Sequence, residues 1–300
     1  MLTAEQVQFY RDNGYIVLRG LLSPTEVATL QRVTDGFIER SRKIAATDEV
    51  FDLEDGHSAE RPRLRRIKLP DKQDPAYAAT AHHPGILAAL RQLIGPAIRF
   101  DSMKLNMKPG DGGEAVEWHQ DWAFYPHTND DLCAVGIMMD DMTPENGPLL
   151  VVPGSHKGPI LDHHQDGVFV GAVTDPAGEA AFAKAVPLLG KPGDVSIHHA
   201  RILHASAINR SDRHRRLLLL QMRAADAWPL IQHPVSYQEY DALMLTGEPS
   251  VAARLADVPV RLPLPRAVDR RASIFDKQKP LKKSYFGRAS GQGMAAMTDT

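Results

Sequence analysis

Apolar residues recur at helical spacing in three places in the first third of the chain. Thr3 and Gln6 form a capping-box pair ahead of the first run, and Gly14 offers it a left-handed stop. Ser23, Pro24 and Glu26 mark a second helix start, after which Val27, Leu30, Val33 and Phe37 share one side. A third helix is expected from about Pro84 to Ile94, with Leu87, Leu90 and Ile94 on one face and Gly95-Pro96 ending it. Between the first two helices, Tyr15-Ile16-Val17-Leu18 reads as a short strand.

From about Pro96 the pattern changes to short strand-like runs divided by turn chemistry. The runs are Ile98–Lys104, Ala115–Trp118, Leu132–Met139, Leu149–Val152, Asp194–Ile197, Ile202–Ala207 and Leu217–Met222. Glu145-Asn146-Gly147-Pro148, Pro153-Gly154-Ser155 and Pro192-Gly193-Asp194 are the turns between some of them. Many short strands at such spacing favour a sandwich or barrel over a parallel α/β sheet. The expected fold class is therefore mainly β with flanking α-helices. One domain is expected over residues 1–290: a helical part at about 1–95 on the outside, a barrel core at about 96–223 and a C-terminal extension at about 224–290. Residues 291–300 read as a flexible tail. Leu161 to Lys191 read as an irregular insertion between barrel strands. The basic stretch from about Arg261 is either a solvated extension or a segment that covers the site or a subunit contact.

Composition narrows the class without naming a function. The 300 residues are 43% hydrophobic and 24% charged, an ordinary globular mixture able to bury a core without staples. A formal net charge of −2 gives no global attraction to nucleic acid or acidic membranes. Cys133 is the only cysteine and sits in an apolar run, so a buried core thiol and a reducing compartment are expected. No apolar run approaches the roughly 20 residues of a membrane helix. The first residues lack a basic segment followed by an apolar one. A cytoplasmic protein acting on a small molecule is the expectation, with no nucleic-acid or membrane partner and an open oligomeric state.

The chemistry centres on Trp118-His119-Gln120-Asp121-Trp122. On a strand, residues two apart share a face, so His119 and Asp121 can present an imidazole and a carboxylate to one point. Two histidines and a carboxylate with open positions opposite describe the facial triad of iron(II) oxygenases. An HxD pair alone occurs often by chance and needs a third ligand. His204, in the apolar run Ile202-Leu203-His204-Ala205-Ser206, is either that ligand or a hydrogen-bonded core histidine.

Four segments in order make the sequence resemble the phytanoyl-CoA dioxygenase family of 2-oxoglutarate oxygenases. They are Asn13-Gly14-Tyr15-Ile16-Val17-Leu18-Arg19-Gly20-Leu21-Leu22; Trp118-His119-Gln120-Asp121; Glu145-Asn146-Gly147-Pro148-Leu149 with Val152-Pro153-Gly154-Ser155-His156-Lys157-Gly158; and Gly193-Asp194 with His204-Ala205-Ser206, Asn209 and Arg215. The resemblance implies a double-stranded β-helix, the jelly-roll, cupin-like barrel. It implies iron(II) on His119, Asp121 and His204, with 2-oxoglutarate as cosubstrate and O2 as oxidant. It places the 2-oxoglutarate arginine eleven residues after the distal histidine, at Arg215, where a planar fork can pair bidentately with a carboxylate. Arg213 and Arg216 compete by position in the sequence. Ser206 could donate to the same carboxylate. Lys68 and Lys104 are further candidates for contacting the cosubstrate.

Ile137 stands where the phytanoyl-CoA enzyme carries a tryptophan, so a different pocket is expected. Trp122, Phe124 and Tyr125 could wall that pocket or belong to the core, and His198 could point inward. His127 reads as a loop residue, and His163 and His164 read as solvated. The implied reaction hydroxylates a small, largely apolar metabolite and releases succinate and CO2. The carboxylate of Asp121 argues against halogenation, whereas desaturation, ring formation and epoxidation use the same triad. The rival readings are a cupin-like metalloenzyme without 2-oxoglutarate turnover and a binding protein that keeps the barrel.

Overall fold

The structure is a computed structural model and describes residues 1–231, 236–261 and 273–287. The expected tail at 291–300 lies outside the described residues.

In chain order the elements begin with α1 (Ala4–Asn13), β1 (Tyr15–Leu18) and α2 (Pro24–Ser41). Both helices start on the expected capping boxes, at Thr3 and Ser23, and Gly14 closes α1 at φ +78°. There follow β2 (Phe51–Leu53), β3 (Leu64–Lys68), α3 (Pro70–Gln73), α4 (Pro75–Ala81) and α5 (Pro84–Leu93). The barrel region holds β4 (Ile98–Lys108), β5 (Val116–His119), β6 (Leu132–Met138) and β7 (Leu149–Val151). The expected insertion forms β8 (His164–Gln165), β9 (Val168–Phe169), α6 (Ala177–Phe182) and β10 (Val186–Pro187). β11 (Val195–His199), β12 (His204–Ser206) and β13 (Arg215–Ala224) complete the core. α7 (Tyr237–Asp241), β14 (Met244–Thr246) and α8 (Ile274–Gln278) come last. Among the described residues no helix is long and apolar enough to cross a membrane.

An eight-stranded sheet runs β1-β11-β6-β13-β4-β3-β2, with β14 also on β4, and a four-stranded sheet runs β10-β7-β12-β5. Ladders within both are antiparallel. This is the expected jelly-roll barrel of two facing sheets.

Strand alternation divides the core. Leu218 and Leu220 of β13 lie with Val135, Ile137 and Ile197 on the outer face, under Val27, Leu30, Phe37, Tyr77, Ile86 and Leu90 from the helices. Leu217 and Leu219 face inward with Ala134 and Met138, against Leu149, Val151 and Ile202 of the small sheet or its flank. Each such leucine contributes about 1.5–3 kcal/mol of burial.

The first third is less helical than its periodicity suggests, because β1, β2 and β3 all join the large sheet. β2 and β3 escape a pattern search because their buried positions carry charge. Arg65 is buried and pairs with Asp52 at 2.8 Å, Glu114 at 3.1 Å and Asp276 at 3.0 Å. Cys133 is a buried free thiol, as expected.

Candidate active site

Two short strands of the small sheet bring the central residues together. β12 pairs antiparallel with β5 so that His204 lies opposite His119. Their rings stand 4.0 Å apart between centroids. The chain leaves β5 after His119 and turns into a 3-10 helix at Asp121–Ala123, so the pair is not on one continuous strand. The turn still carries the carboxylate back to the same point. Asp121 Oδ1 lies 3.9 Å from His119 Nε2 and 4.0 Å from His204 Nε2. One donor atom from each of the three residues lies within 4.8 Å of the others, and all three residues are buried.

Each imidazole is oriented by its own strand. His119 Nδ1 bonds the Glu117 carbonyl at 2.8 Å and His204 Nδ1 bonds the Ile202 carbonyl at 3.0 Å. With Nδ1–H donating there, both Nε2 lone pairs point to the common centre, the arrangement that metal-binding histidines use. Burial pulls both imidazoles below their ordinary pKa, which keeps them neutral. Burial alone would raise Asp121, yet Lys104, His204, His119 and His198 together hold its carboxyl below the usual range. Two neutral nitrogens and one ionised oxygen on one side of a point, with a cavity on the other, fit a divalent iron.

Tyr125 stands behind Asp121. Gln221 Nε2 donates to the Tyr125 hydroxyl at 2.6 Å, and Ser102 Oγ donates to Gln221 Oε1 at 2.5 Å. Burial, and then the Asp121 carboxylate, raise the Tyr125 hydroxyl well above its ordinary pKa.

The cavity on the open side has about 40 Å³ of free volume. Its wall includes Lys104, Asn106, Lys108, Ala134, Ser206, Arg215, Leu217 and Leu219 beside the three central residues and His198. Ile274 and Phe275 of α8 also line it, so part of the C-terminal extension covers the site instead of standing in solvent.

Arg215 points into this cavity while its neighbours do not. Arg216, one residue on, turns outward and pairs with Asp140 at 2.7 Å and Asp35 at 2.6 Å, and Arg213 is exposed. Arg215 Nε and Nη2 donate to the Gly147 carbonyl at 3.1 and 2.6 Å. Among the described residues it has no ion pair, although only 2% of it is exposed. Burial depresses its pKa to about 10. A buried cation without a counter-charge is costly, and an incoming carboxylate would relieve it.

The remaining expected residues divide. Ser206, Lys104 and His198 line the cavity. Lys68 is not brought to it, and its Nζ donates to the Asp48 carbonyl at 2.6 Å. Ile137 is fully buried in the outer apolar cluster. Ala134 faces the cavity, and three residues on a strand reverse the face, so Ile137 points the other way. Trp122 packs with Leu132, Ala200 and Ala227 and donates to the Pro259 carbonyl at 3.0 Å. Phe124 meets His119 edge-on at 5.9 Å. His163 is buried and not solvated, because its Nε2 accepts from the Gln120 N–H at 3.0 Å. His127 lies in a loop as expected but is buried, taking a hydrogen bond from Arg223 at 2.8 Å.

Sequence reasoning missed Gly147 as the seat of Arg215 and Glu117 as the orienter of His119. Gly147 belongs to a quoted motif that carried no chemistry of its own, whereas nothing in the sequence marks a backbone carbonyl.

A sequence model described as phytanoyl-CoA dioxygenase matches residues 10–217. The chain is 35% identical over 289 residues to a probable alpha-ketoglutarate-dependent hypophosphite dioxygenase of Stutzerimonas stutzeri, covering 94% of this chain and 99% of that one. It is 32% identical over 250 residues to the L-proline trans-4-hydroxylase of Streptomyces griseoviridis, covering 77% and 88%. Among solved structures, EctD from S. alaskensis with bound iron is 26% identical at a TM-score of 0.65, covering 86% and 88%.

Proposed function

Because the chain belongs to the phytanoyl-CoA dioxygenase family, we propose that its iron(II) is held by His119, Asp121 and His204 and its 2-oxoglutarate by Arg215. The protein is an iron(II)- and 2-oxoglutarate-dependent dioxygenase acting on a small molecule. The single observation that carries the site assignment is the convergence of the three donor atoms beside a buried arginine that lacks a counter-charge.

Each residue has a defined task. Glu117 and Ile202, through their carbonyls, hold His119 and His204 in the tautomer that leaves Nε2 free. Asp121 stays ionised and completes the three-donor face. Arg215, seated on Gly147, pairs with the far carboxylate of 2-oxoglutarate, a charge-assisted contact contributing about 1.5–3 kcal/mol. Ser206, on the same wall, would donate to that carboxylate. Phe275 and Ile274 close the cavity and limit water. Bound iron with 2-oxoglutarate and O2 supplies insertion of one oxygen atom into an X–H bond, the other leaving in succinate as CO2 is lost.

The Stutzerimonas relative is named for hypophosphite, and its similarity spans nearly both chains. Hypophosphite is therefore the first compound to test. Oxygen insertion into one of its P–H bonds gives phosphite, balanced by succinate and CO2 from 2-oxoglutarate and O2.

Anaerobic iron(II) and 2-oxoglutarate added to the metal-free protein should produce the weak visible band of the chelate. His204→Ala should abolish the band, and Arg215→Ala should demand at least tenfold more 2-oxoglutarate for half its amplitude. Folded, iron-binding protein with no band would overturn the assignment.

A further inference from the structure

The cavity holds polar groups that the proposed iron and 2-oxoglutarate contacts leave unused. Lys108 Nζ is engaged with the Ser206 carbonyl at 3.0 Å, and with that of Ala207. Arg215 is engaged with Gly147, and His119 and His204 with their own strands. Asn106 Oδ1 is buried without a partner, and two basic side chains stand apart. His198 has both ring nitrogens buried without a hydrogen-bond partner. Half-buried Lys104 has no hydrogen bond or ion pair among the described residues, although its charge is felt by Asp121 and by all three neighbouring imidazoles.

The register puts these two at the end of the cavity away from Arg215. Arg215 lies opposite Lys108, whereas Lys104 lies opposite Leu219, four residues along each strand. Four residues of strand separate the two Cα positions by about 13 Å, so Lys104 and Arg215 enter the cavity from different ends. Lys104 shares its row across the sheet with Leu219, Gly136 and Ser196. His198 lies one row further, with Ala134, Gln221 and Ser102. His198 Nε2 is also 3.9 Å from Asp121 Oδ2, so this end abuts the proposed iron site. Ala134 and Leu219, small or apolar, line the cavity beside them.

We propose that Lys104 and His198 form the substrate subsite and that it takes a small oxyanion. The inference rests on the reading of this cavity as the active site. The ammonium of Lys104 neutralises the anion, and a neutral His198 donates one hydrogen bond to an anion oxygen. A buried imidazole with no partner carries a desolvation cost that such a ligand removes. Held there, the anion keeps its remaining X–H bond toward the side where His119, Asp121 and His204 converge. Asp121, the one carboxylate in the cavity wall among the described residues, is already shared among His119, His204, His198 and the Lys104 field, so the subsite retains net positive character.

The test uses the full chain with iron(II) and 2-oxoglutarate, and hypophosphite, phosphite and formate as probes. Binding is read anaerobically as a perturbation of the chelate band, and turnover as probe-dependent succinate. Wild-type protein should respond to at least one probe with saturation. Lys104→Met should raise the half-saturating probe concentration at least tenfold while leaving the 2-oxoglutarate requirement within twofold, and Lys104→Arg should restore most of the affinity. His198→Phe should weaken probe binding similarly with the chelate band intact. A Lys104→Met variant that needs more 2-oxoglutarate and binds the probe normally would give Lys104 to the cosubstrate and overturn the proposal. A normal chelate band with no response to any probe would also overturn it, leaving the enzyme assignment standing. Absence of the chelate band itself would bring down the site reading on which both rest.

Discussion

Two buried histidines outside the proposed iron ligands should make this protein's stability pH-dependent. His127 Nδ1–H donates to the Tyr125 carbonyl at 2.7 Å, and its Nε2 accepts from Arg223 at 2.8 Å. Burial, and then the Arg223 charge, pull its pKa to about 3. His163 is similarly buried, at about 4, with its Nε2 accepting from the Gln120 amide. Unfolded histidine titrates near 6.5, so the unfolded chain binds more protons below that pH. The sign follows: stability is complete above about pH 6.5 and is lost as pH falls toward the folded values. Between pH 6.5 and 5 each histidine accounts for at most about 2 kcal/mol. Urea midpoints measured across that window should fall with pH, and His127→Gln should flatten the slope by about half of the two-histidine contribution. An unchanged slope in the variant would remove His127 from the account.

The hairpin-like loop before β7 shows how an element without reactive groups sets the site. Thr143 and Asn146 cap the short 3-10 turn at Pro144–Asn146, and Gly147 follows at φ +69°. That left-handed geometry aims its carbonyl at Arg215, and a side chain on Gly147 would collide with the Ala207 carbonyl. Gly147→Ala should therefore cost about 1–3 kcal/mol of stability and raise the 2-oxoglutarate KM severalfold, with iron affinity retained. Thermal unfolding and a 2-oxoglutarate titration check both parts, and an unchanged KM would free Arg215 from its seat. The same loop explains what was legible in the sequence. Turn residues and capping boxes are local, so α1, α2, α5 and most core strands could be read from the residues, whereas the grouping of His119, Asp121 and His204 came only from the resemblance carried by the four segments. Facing directions were readable only where the strand boundary was right. Ile137 was expected in the pocket, yet strand alternation from Ala134 turns it into the outer core. β2 and β3 were not expected, because Arg65 and Asp52 satisfy one another inside the protein and leave no apolar rhythm.

At the scale of the whole molecule, the C-terminal segment completes a cavity that the two sheets leave open. Residues 273–287 are tied across the barrel mouth by contacts far apart in sequence. Asp276 pairs with Arg65 at 3.0 Å, and Arg65 stands 5.3 Å over the Phe275 ring. Gln278 accepts from the Glu117 N–H at 3.0 Å and donates to the Gly171 carbonyl at 2.9 Å. The Glu117 carboxylate accepts from the Tyr285 N–H at 3.0 Å and from the Ser284 hydroxyl, while its carbonyl orients His119. One residue thus joins the covering segment to the proposed iron site. Such a cover excludes water and keeps oxidation tied to substrate. Asp276→Ala removes one tie without touching the cavity wall. It should speed proteolytic cutting within residues 273–287 and raise the ratio of succinate formed to substrate oxidised. Phe275→Ala, which opens the wall itself, should raise that ratio further. If Asp276→Ala leaves both cleavage and coupling at wild-type values, the segment is held by its apolar contacts alone, among them Tyr285 and Phe286 each 6.2 Å from Trp118, and the polar ties are dispensable for coupling.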